Sequence, residues 1–446
     1  MSTRPLLALR LDPRLPPGLQ LERQVRALVA AGGLPVGTVL PSTRALAADH
    51  GVSRGVAVRA YAQLAAEGYI ALRRGAAPVV VATVDEASPP PRPARDVPVA
   101  GARYNLRPDL PDLGLFPRAQ WLAATRAAVQ RAVDADLAYG DPLGAAELRH
   151  RIAPFLVRTR GVVATPERTA IFAGSSHALH ALASTLRTRG ARTMAIEDPG
   201  HRWRTRAVRA AGLEVLPVRV DDEGLCVDEL PDADAVLVSP DHHFPFGVAL
   251  SATRRRALAA WAREADRIVV EHDYDGHFRY DRPPAATLQA LAPEHVAYVG
   301  SASALLAPTL RLGWAVLPAQ LVEPLFDELF STVIAQPRLA QLALAEFVAR
   351  GYLDRHLRRA RAAYRRRRAL VEGRGAPAGL FVHVPLPRDG DEAAVLAAAR
   401  ARGIAVDGVN EHAIRPQPPG LAVGFAAAPE PTLRRALAEL TSTIGA

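Results

Sequence analysis

The sequence predicts an α/β protein that carries a small, basic, mostly helical module at its N-terminus. From about residue 104 onward, short apolar segments with strand character alternate with helical segments, which is typical of a mostly parallel sheet. Residues 1–81 contain ten arginines and four acidic residues, so more than half of the net charge of +10 lies in less than a fifth of the 446 residues. A chain of this length is expected to form two or three domains.

The composition excludes several other classes of protein. Hydrophobic residues make up 49% and charged residues 22% of the chain, which is ordinary for a globular protein and not for a disordered, collagen-like or coiled-coil one. No apolar run approaches the roughly 20 residues of a membrane span, and no apolar signal segment follows Met1. The one cysteine, Cys226, excludes an internal disulfide. We therefore expect a cytoplasmic protein.

The N-terminal module is predicted to contain three helices and a hairpin. The helices are expected over residues 19–31, 43–50 and 54–67, and the strands over 69–72 and 79–81. Ser42 and Ser53 are suitable N-caps for the second and third helices. Three helices followed by a two-stranded wing predict a winged helix-turn-helix.

The third helix of this module has two different faces. Apolar residues such as Ala57 and Leu64 share one face, whereas Arg54, Val58 and Arg59 share the other. A basic free face on such a helix predicts contact with nucleic acid. The alternative interpretation is an ordinary solvated surface in a chain whose 55 basic residues are all arginine.

Residues 82–103 are predicted to be a linker. The run Ser88–Pro93 is rich in proline, which favours extended geometry over helices or strands. The predicted organisation is therefore a DNA-binding domain over residues 1–81, a linker over 82–103 and a second domain over 104–446.

The second domain is predicted to have a main α/β part and a smaller α+β C-terminal subdomain. Strands of the main part are expected over residues 193–197, 213–218, 235–239, 268–271, 296–300 and 313–317. Helices are expected over 252–265 and, rich in arginine, near 346–370. The pattern changes after that helix, with strands expected over 380–384 and 421–425.

Three motifs of the N-terminal module together resemble the GntR-type winged helix. They are Pro41-Ser42-Thr43-Arg44-x-Leu46-Ala47, Gly51-Val52-Ser53-Arg54 and Ala60-Tyr61-x-x-Leu64-x-x-Glu67-Gly68-Tyr69. The resemblance implies binding of double-stranded operator DNA. Arg44, Ser53, Arg54 and Gly75 fall on positions that contact DNA in that family, and the full predicted DNA-binding set is Ser42, Thr43, Arg44, Ser53, Arg54, Arg59 and Gly75.

The rest of the chain resembles fold-type I aminotransferases. The motifs are Tyr139-Gly140-Asp141-Pro142-x-Gly144, Asp198-Pro199-Gly200, His242-x-Phe244-Pro245-x-Gly247, Asp273-Tyr274-Asp275 and Leu306-Ala307-Pro308-x-Leu310-Arg311-Leu312-Gly313. A GntR-type module on such a domain resembles the MocR/GabR family of transcriptional regulators. The resemblance implies a regulator, not an enzyme, whose second domain binds a small-molecule effector and forms a head-to-tail, domain-swapped homodimer.

The sequence departs from this family at the site of pyridoxal phosphate. The position of the lysine that forms the Schiff base is Ala304, and the chain contains no lysine. By the same alignment, His272 replaces the carboxylate that faces the pyridine nitrogen, and His201 replaces a stacking aromatic ring. Phe246 replaces a small polar residue, and Ala422 replaces an arginine for the substrate carboxylate. Several changes together favour natural loss of the cofactor.

The predicted effector pocket keeps part of a cup for an anion, because Ser303 and Arg311 remain. The full predicted set is Ser175, Ser176, His201, His242, His272, Tyr274, Ser301, Ser303, Ala304 and Arg311. Alternatives stay open at this point. They are noncovalent pyridoxal phosphate, an aminotransferase or regulator in which Ala304 is an engineered lysine replacement, and a metal held by histidines. We predict no cofactor, no catalytic residue and no metal.

Overall fold

The computed structural model describes residues 7, 9–73, 75–81, 102–281, 287–332 and 336–444. The chain divides into two compact units, with the boundary between Val97 and Pro98. Residues 82–101 of the predicted linker lie outside the described residues.

The first unit consists of three helices and a short hairpin, as the sequence predicts. The helices are α1 (Pro17–Ala30), α2 (Thr43–Asp49) and α3 (Arg54–Ala66), and the antiparallel strands are β1 (Ile70–Ala71) and β2 (Val79–Val80). The two predicted N-caps are present, because the Ser42 hydroxyl accepts from the amide of Ala45 at 3.2 Å and that of Ser53 from Val56 at 3.4 Å.

The second unit is built on an eight-stranded sheet, counted over the described residues. Its eight strands are β4 (Thr169–Phe172), β5 (Thr193–Asp198), β6 (Glu214–Asp221), β7 (Gly224–Leu225), β8 (Ala235–Val238), β9 (Ile268–Asp273), β10 (Val296–Ser301) and β11 (Gly313–Val316). The short strand β3 (Tyr104–Asn105) precedes them in the chain and lies outside this sheet. The order is β4-β11-β10-β9-β8-β5-β6-β7, and the central strands from β10 to β6 are parallel. The predicted parallel sheet is therefore confirmed in its centre, whereas β4, β7 and β11 pair antiparallel.

Helices cover the sheet. They are α4 (Arg118–Arg131), α5 (Ala146–Arg160), α6 (Ser175–Thr188), α7 (Arg202–Ala210), α8 (Ala252–Glu264), α9 (Leu288–Leu291), α10 (Ala302–Leu305), α11 (Ala319–Thr332), α12 (Arg338–Ala349) and α13 (Tyr352–Arg368). The prediction of a single helix near 346–370 is wrong, because α12 ends and α13 begins within its first residues. Gly351 has φ +64°, a conformation that ends α12 and lets α13 begin in a new direction.

The C-terminal subdomain combines a small sheet with two helices. Its elements are β12 (Phe381–Pro385), α14 (Glu392–Ala401), β13 (Ile404–Ala405), β14 (Asp407–Gly408), β15 (Gly420–Gly424) and α15 (Glu430–Ile444). Strands β12, β15 and β14 form an antiparallel sheet, and β13 pairs with β3. This arrangement confirms the predicted α+β character.

Candidate functional site

The free face of α3 carries two exposed arginines. Arg54 and Arg59 are exposed and have no ion pair within the described residues, and Val58 between them is exposed as well. The opposite face, including Ala57 and Leu64, is buried in the core of the unit. This helix can therefore present cations and one apolar side chain to a groove while its other face stays packed.

A buried hydrogen bond holds the segment before α2 against α3. The hydroxyl of Tyr61 on α3 donates to the backbone carbonyl of Pro41 at 3.0 Å, just before α2 begins. Arg44 on α2 is exposed, and Thr43 is the first residue of that helix. Gly75 in the hairpin turn has φ +80°, and a Cβ at this position would meet no described atom within 4 Å, so the wing tip is open.

The predicted effector positions of the second unit meet at the carboxyl ends of β5, β8, β9 and β10. Parallel strands end at one edge of a sheet, so chain-distant motifs converge there. His272 lies at the end of β9, Ser301 at the end of β10, and Ala304 on the short helix α10 that follows. Ala304 is buried in the core of the unit, where its methyl group offers no nucleophile.

His272 and Asp273 are consecutive residues at the end of β9, so their side chains lie on opposite sides of the strand. The Asp273 carboxylate accepts from Arg160 Nε and from the hydroxyl of Tyr298, both at 2.6 Å. Burial acts to raise the pKa of Asp273, but the charges of Arg160 and His277 and the hydrogen bonds from Tyr298 and Arg160 together outweigh burial and lower that pKa to about 2. Asp273 is therefore ionised and forms an ion pair with Arg160.

His272 is buried without a hydrogen-bond partner for either ring nitrogen within the described residues. Its ring lies edge-on to Trp203, with centroids 5.4 Å apart. Burial, and then the positive charge of Arg204, lower the pKa of His272 well below its usual value. A neutral imidazole here lacks the negative charge that would pair with a protonated pyridine ring.

The rings of His201 and Phe244 stack face to face, with centroids 3.8 Å apart and planes 5° from parallel. The edges of His412 and Tyr274 pack around this stack, at 4.6 Å from Phe244 and 5.3 Å from His201. The face of His201 that meets Phe244 is therefore not available to a cofactor ring.

The space around these rings is nearly filled. A cavity beside His201 and Glu197 measures about 10 Å³, room for about one water molecule. Within the described residues, the space among Asp241, His272 and Tyr274 holds no water-sized cavity. Because the amine, the carboxylate partner and the room are all missing, these residues do not fit pyridoxal phosphate.

The rings of His201, Phe244, Tyr274 and His412 form one packed cluster, and two further contacts fix it. His242 Nδ1 donates to the carboxylate of Asp275 at 2.8 Å, and the Tyr274 hydroxyl donates to the carbonyl of His242 at 2.7 Å. Glu197 accepts from the amide of Ser239 and lies 3.4 Å from Arg204. Burial raises the pKa of Glu197 to about 7. The cluster therefore combines packed rings with buried titratable groups.

The remaining predicted positions lie at the rim. Arg311 Nη2 donates to the hydroxyl of Ser176 at 3.3 Å, next to Ser175 at the start of α6. The hydroxyl of Ser301 accepts from the amide of Ser303 at 3.4 Å. Arg311 is exposed, Ser175, Ser176 and Ser303 are half-buried, and Ser301 is buried, so this part of the site keeps one exposed cation beside hydroxyl groups.

Sequence reasoning missed several members of the cluster. His412 and Phe381 come from the C-terminal subdomain, and Trp203 and Arg204 from α7. No local sequence signal marks the first two, because only the tertiary fold brings them to His201 and Phe244. Among the described residues, no group of three or more His, Cys, Asp or Glu side chains is arranged to hold a metal ion.

Comparisons with known proteins agree with this two-unit architecture. Residues 17–80 match the model of bacterial regulatory proteins of the gntR family, and residues 114–440 match aminotransferase class I and II. The pyridoxine biosynthesis transcriptional regulator PdxR of Corynebacterium glutamicum is 33% identical over 98% of both chains. The chain belongs to the MocR-type family of GntR transcriptional regulators.

Other relatives of this MocR-type regulator are similar over most of their length. The probable rhizopine catabolism regulatory protein MocR of Rhizobium meliloti is 30% identical over 81% of this chain and 78% of its own. The regulator TauR of Rhodobacter capsulatus is 34% identical over 80% of each. GntR-type regulators bind operator DNA, so the first unit is a helix-turn-helix DNA-binding module.

Solved structures show the fold of the second unit of the regulator. An archaeal alanine:glyoxylate aminotransferase superposes with a TM-score of 0.71 at 21% identity, over 77% of this chain and 90% of its own. A kynurenine aminotransferase of Pyrococcus horikoshii superposes with a TM-score of 0.70 at 24% identity, over 78% and 92%. The second unit therefore has the predicted fold-type I aminotransferase architecture. No helix in the described parts of the chain is long and apolar enough to cross a bilayer.

Proposed function

We propose that this MocR-type regulator reads its operator through α3 and the wing, and that its second unit senses a small molecule without pyridoxal phosphate. One observation supports sensing without pyridoxal phosphate: Ala304 occupies the predicted lysine position, and the chain contains no lysine elsewhere. An alanine methyl cannot form a Schiff base, and no other side chain can replace the missing amine.

The structure supports this proposal at the neighbouring positions as well. His272 is neutral where a carboxylate partner is needed, and His201 is stacked on Phe244. A docked cofactor would have to separate these rings and would leave its pyridine nitrogen without an ionic partner, a loss of about 1–3 kcal/mol for the unpaired group. The second unit therefore serves binding and not transamination.

DNA contact is assigned to the predicted residues of the first unit. Arg54 and Arg59 lie on the free face of α3, and Arg44 lies on α2. Ser53, at the N-terminus of α3, is placed to face a phosphate together with free backbone amides of the first turn. The open Gly75 turn of the wing adds a further contact point.

The exposed surface of the second unit supports the proposal of a homodimer. Leu122 and Val129 on α4 and Leu137 and Tyr139 just beyond it are exposed apolar residues, with Tyr139 86% exposed. Exposed apolar side chains grouped in this way are typical of an interaction surface. A two-fold dimer would also supply the two winged helices that a specific operator of two half-sites needs.

The experiment that tests the cofactor-free proposal is the visible absorption spectrum of the purified native protein. We expect no band of bound cofactor, either as purified or after incubation with pyridoxal phosphate and gel filtration. A band that survives gel filtration would favour noncovalent cofactor binding, for which the Ser176–Arg311 rim is the available anion site.

A further inference from the structure

A second cavity of about 370 Å³ lies next to the filled cluster. It is formed where the loop after β8 and the end of β6 meet the C-terminal subdomain. Its lining includes the apolar or basic residues Phe246, Val248, Arg374, His383, Leu386 and Arg388. This volume lies within the range of small-molecule sites, whereas the space at His201 does not.

Two guanidinium groups in this cavity are unpaired. The side chains of Arg374 and Arg388 are exposed and form no ion pair or hydrogen bond with the residues that the structure describes. The backbone of Arg374 is nevertheless fixed, because its amide donates to the carbonyl of His383 at 2.7 Å. An unpaired arginine side chain is suited to bind a carboxylate or phosphate with two parallel hydrogen bonds, and the fixed backbone of Arg374 holds one such group at the cavity.

The acidic residues of the cavity limit how much negative charge a ligand can carry. Asp221 is engaged by Arg254, with contacts of 2.5 and 2.8 Å. Asp222 is exposed and has no partner in the described part of the chain. A free carboxylate at the rim repels a second negative charge, so the cavity favours a monoanion over a dianion such as a phosphate ester.

The rest of the wall is apolar or uncharged. Phe246, Val248 and Leu386 line it together with prolines. His383 adds a buried ring nitrogen, Nε2, without a hydrogen-bond partner within the described residues. Burial, and then the charge of Arg374, lower the pKa of His383 to about 4, so the ring is neutral at neutral pH. Such a wall accommodates a hydrocarbon body.

We propose that this cavity is the effector site, and that it binds a small monocarboxylate with an apolar body through Arg374 and Arg388. This inference rests on the proposed function, in which the second unit senses a small molecule. The effector site is therefore the adjoining cavity and not the predicted positions around His201 and His272, where protein side chains fill the space.

The cavity is connected to the contacts between the two parts of the second unit. The ring of Phe246 lies 5.6 Å from that of His243, and His243 Nε2 donates to the carbonyl of Pro199 at 2.9 Å. The preceding residue, Asp198, accepts from the amides of Ile414 and Arg415 at 2.7 and 3.0 Å. A ligand that displaces Phe246 would act on a chain of contacts that joins the sheet to the C-terminal subdomain.

The test is calorimetric titration of the full-length protein, without DNA, with acetate, hexanoate, benzoate and 3-phenylpropionate. The uncharged 3-phenylpropan-1-ol and the dianionic phenyl phosphate serve as matched probes for charge. We expect saturable binding of at least one of the larger carboxylates and weaker binding of both matched probes. Arg374→Gln and Arg388→Gln should each weaken binding about ten- to a hundredfold, because each removes charge-assisted hydrogen bonds.

Arg434→Gln on α15 is the control, since Arg434 is an exposed arginine outside this cavity. The proposal is overturned if none of the carboxylates binds at millimolar concentration, if phenyl phosphate binds more tightly than they do, or if binding survives both cavity substitutions. DNA binding by the same variants is measured separately. Loss of carboxylate binding with intact DNA binding concerns this site alone, whereas failure to bind DNA concerns the proposed function.

Discussion

His201 and Phe244 stack at a centroid distance of 3.8 Å in the part of the fold where an aminotransferase holds its cofactor ring. The stack joins a loop after β5 to a loop after β8, and the edge of His412 closes it from the C-terminal subdomain. Aromatic pairs of this kind contribute about 0.5–1.5 kcal/mol beyond the area they bury. The site is therefore stabilised in a filled state by the chain itself.

Restoring the lysine alone should not restore the cofactor. We expect Ala304→Lys to give a protein that stays colourless with pyridoxal phosphate and gains no adduct on borohydride reduction, because the room and the carboxylate partner remain absent. Absorption spectra and intact mass measure both results. Stoichiometric incorporation in this single variant would mean that the site is intact and that the cofactor-free proposal is wrong.

Arg54→Ala should weaken binding to an operator selected from random DNA by about 1–3 kcal/mol and relax the preference at one base pair, if Arg54 reads a base. Arg44→Ala is the matched comparison on α2, and should weaken binding to all sequences and flatten its salt dependence if it contacts phosphate. Gel-shift titrations at several salt concentrations separate the two effects. Unchanged affinity in both variants would exclude the assignment of the DNA interface.

Stability should fall as the pH drops below about 6.5, in part because of His243. Burial lowers the pKa of His243 to about 3 in the folded state, whereas an unfolded histidine has a pKa of about 6.5. Between these values the unfolded chain binds the extra proton, so stability is lost as pH falls, by up to about 1.4 kcal/mol per pH unit for one group.

His243→Gln removes this titration and keeps a donor for the Pro199 carbonyl. We expect its melting temperature to depend less on pH between about 4 and 6.5 than that of the unchanged protein, as measured by thermal denaturation. His150, an exposed histidine on α5, provides the control substitution. Equal pH dependence in His243→Gln and the unchanged protein would contradict a neutral, buried His243.

The exposed apolar surface should hold two copies together. Leu137→Glu places a charge where burial is proposed, so light scattering at micromolar concentration should show a shift from dimer toward monomer. Leu291→Glu on α9 is a matched exposed position away from α4 and should leave the dimer intact. A monomeric unchanged protein, or a Leu137→Glu variant that remains fully dimeric, would argue against this surface as the interface.

Much of the fold was predictable because its signals are local. Ser42 and Ser53 cap helices through bonds to residues three positions away, and the opposite directions of His272 and Asp273 follow from strand alternation. Apolar runs such as 235–239 and 296–300 were long enough to mark buried parallel strands.

The filling of the site could not be predicted, because it depends on contacts between distant parts of the chain. The substitution pattern at Ala304 and His272 predicted a changed site, but not that His412 and Phe381 would pack against Phe244. The break at Gly351 was missed for a different reason. Apolar and arginine residues continue on both sides of it, and a single glycine is a weak signal inside a helical pattern.

The packed rings also bear on how the protein can change over generations. Return to aminotransferase chemistry would require a lysine at position 304, a carboxylate at 272 and separation of His201 from Phe244. The first two changes bring no benefit while the stack occupies the space, and opening the stack costs stability while no cofactor is there to fill it. On the cofactor-free proposal, no single substitution therefore opens this site to pyridoxal phosphate chemistry, whereas operator binding and ligand choice depend on other residues.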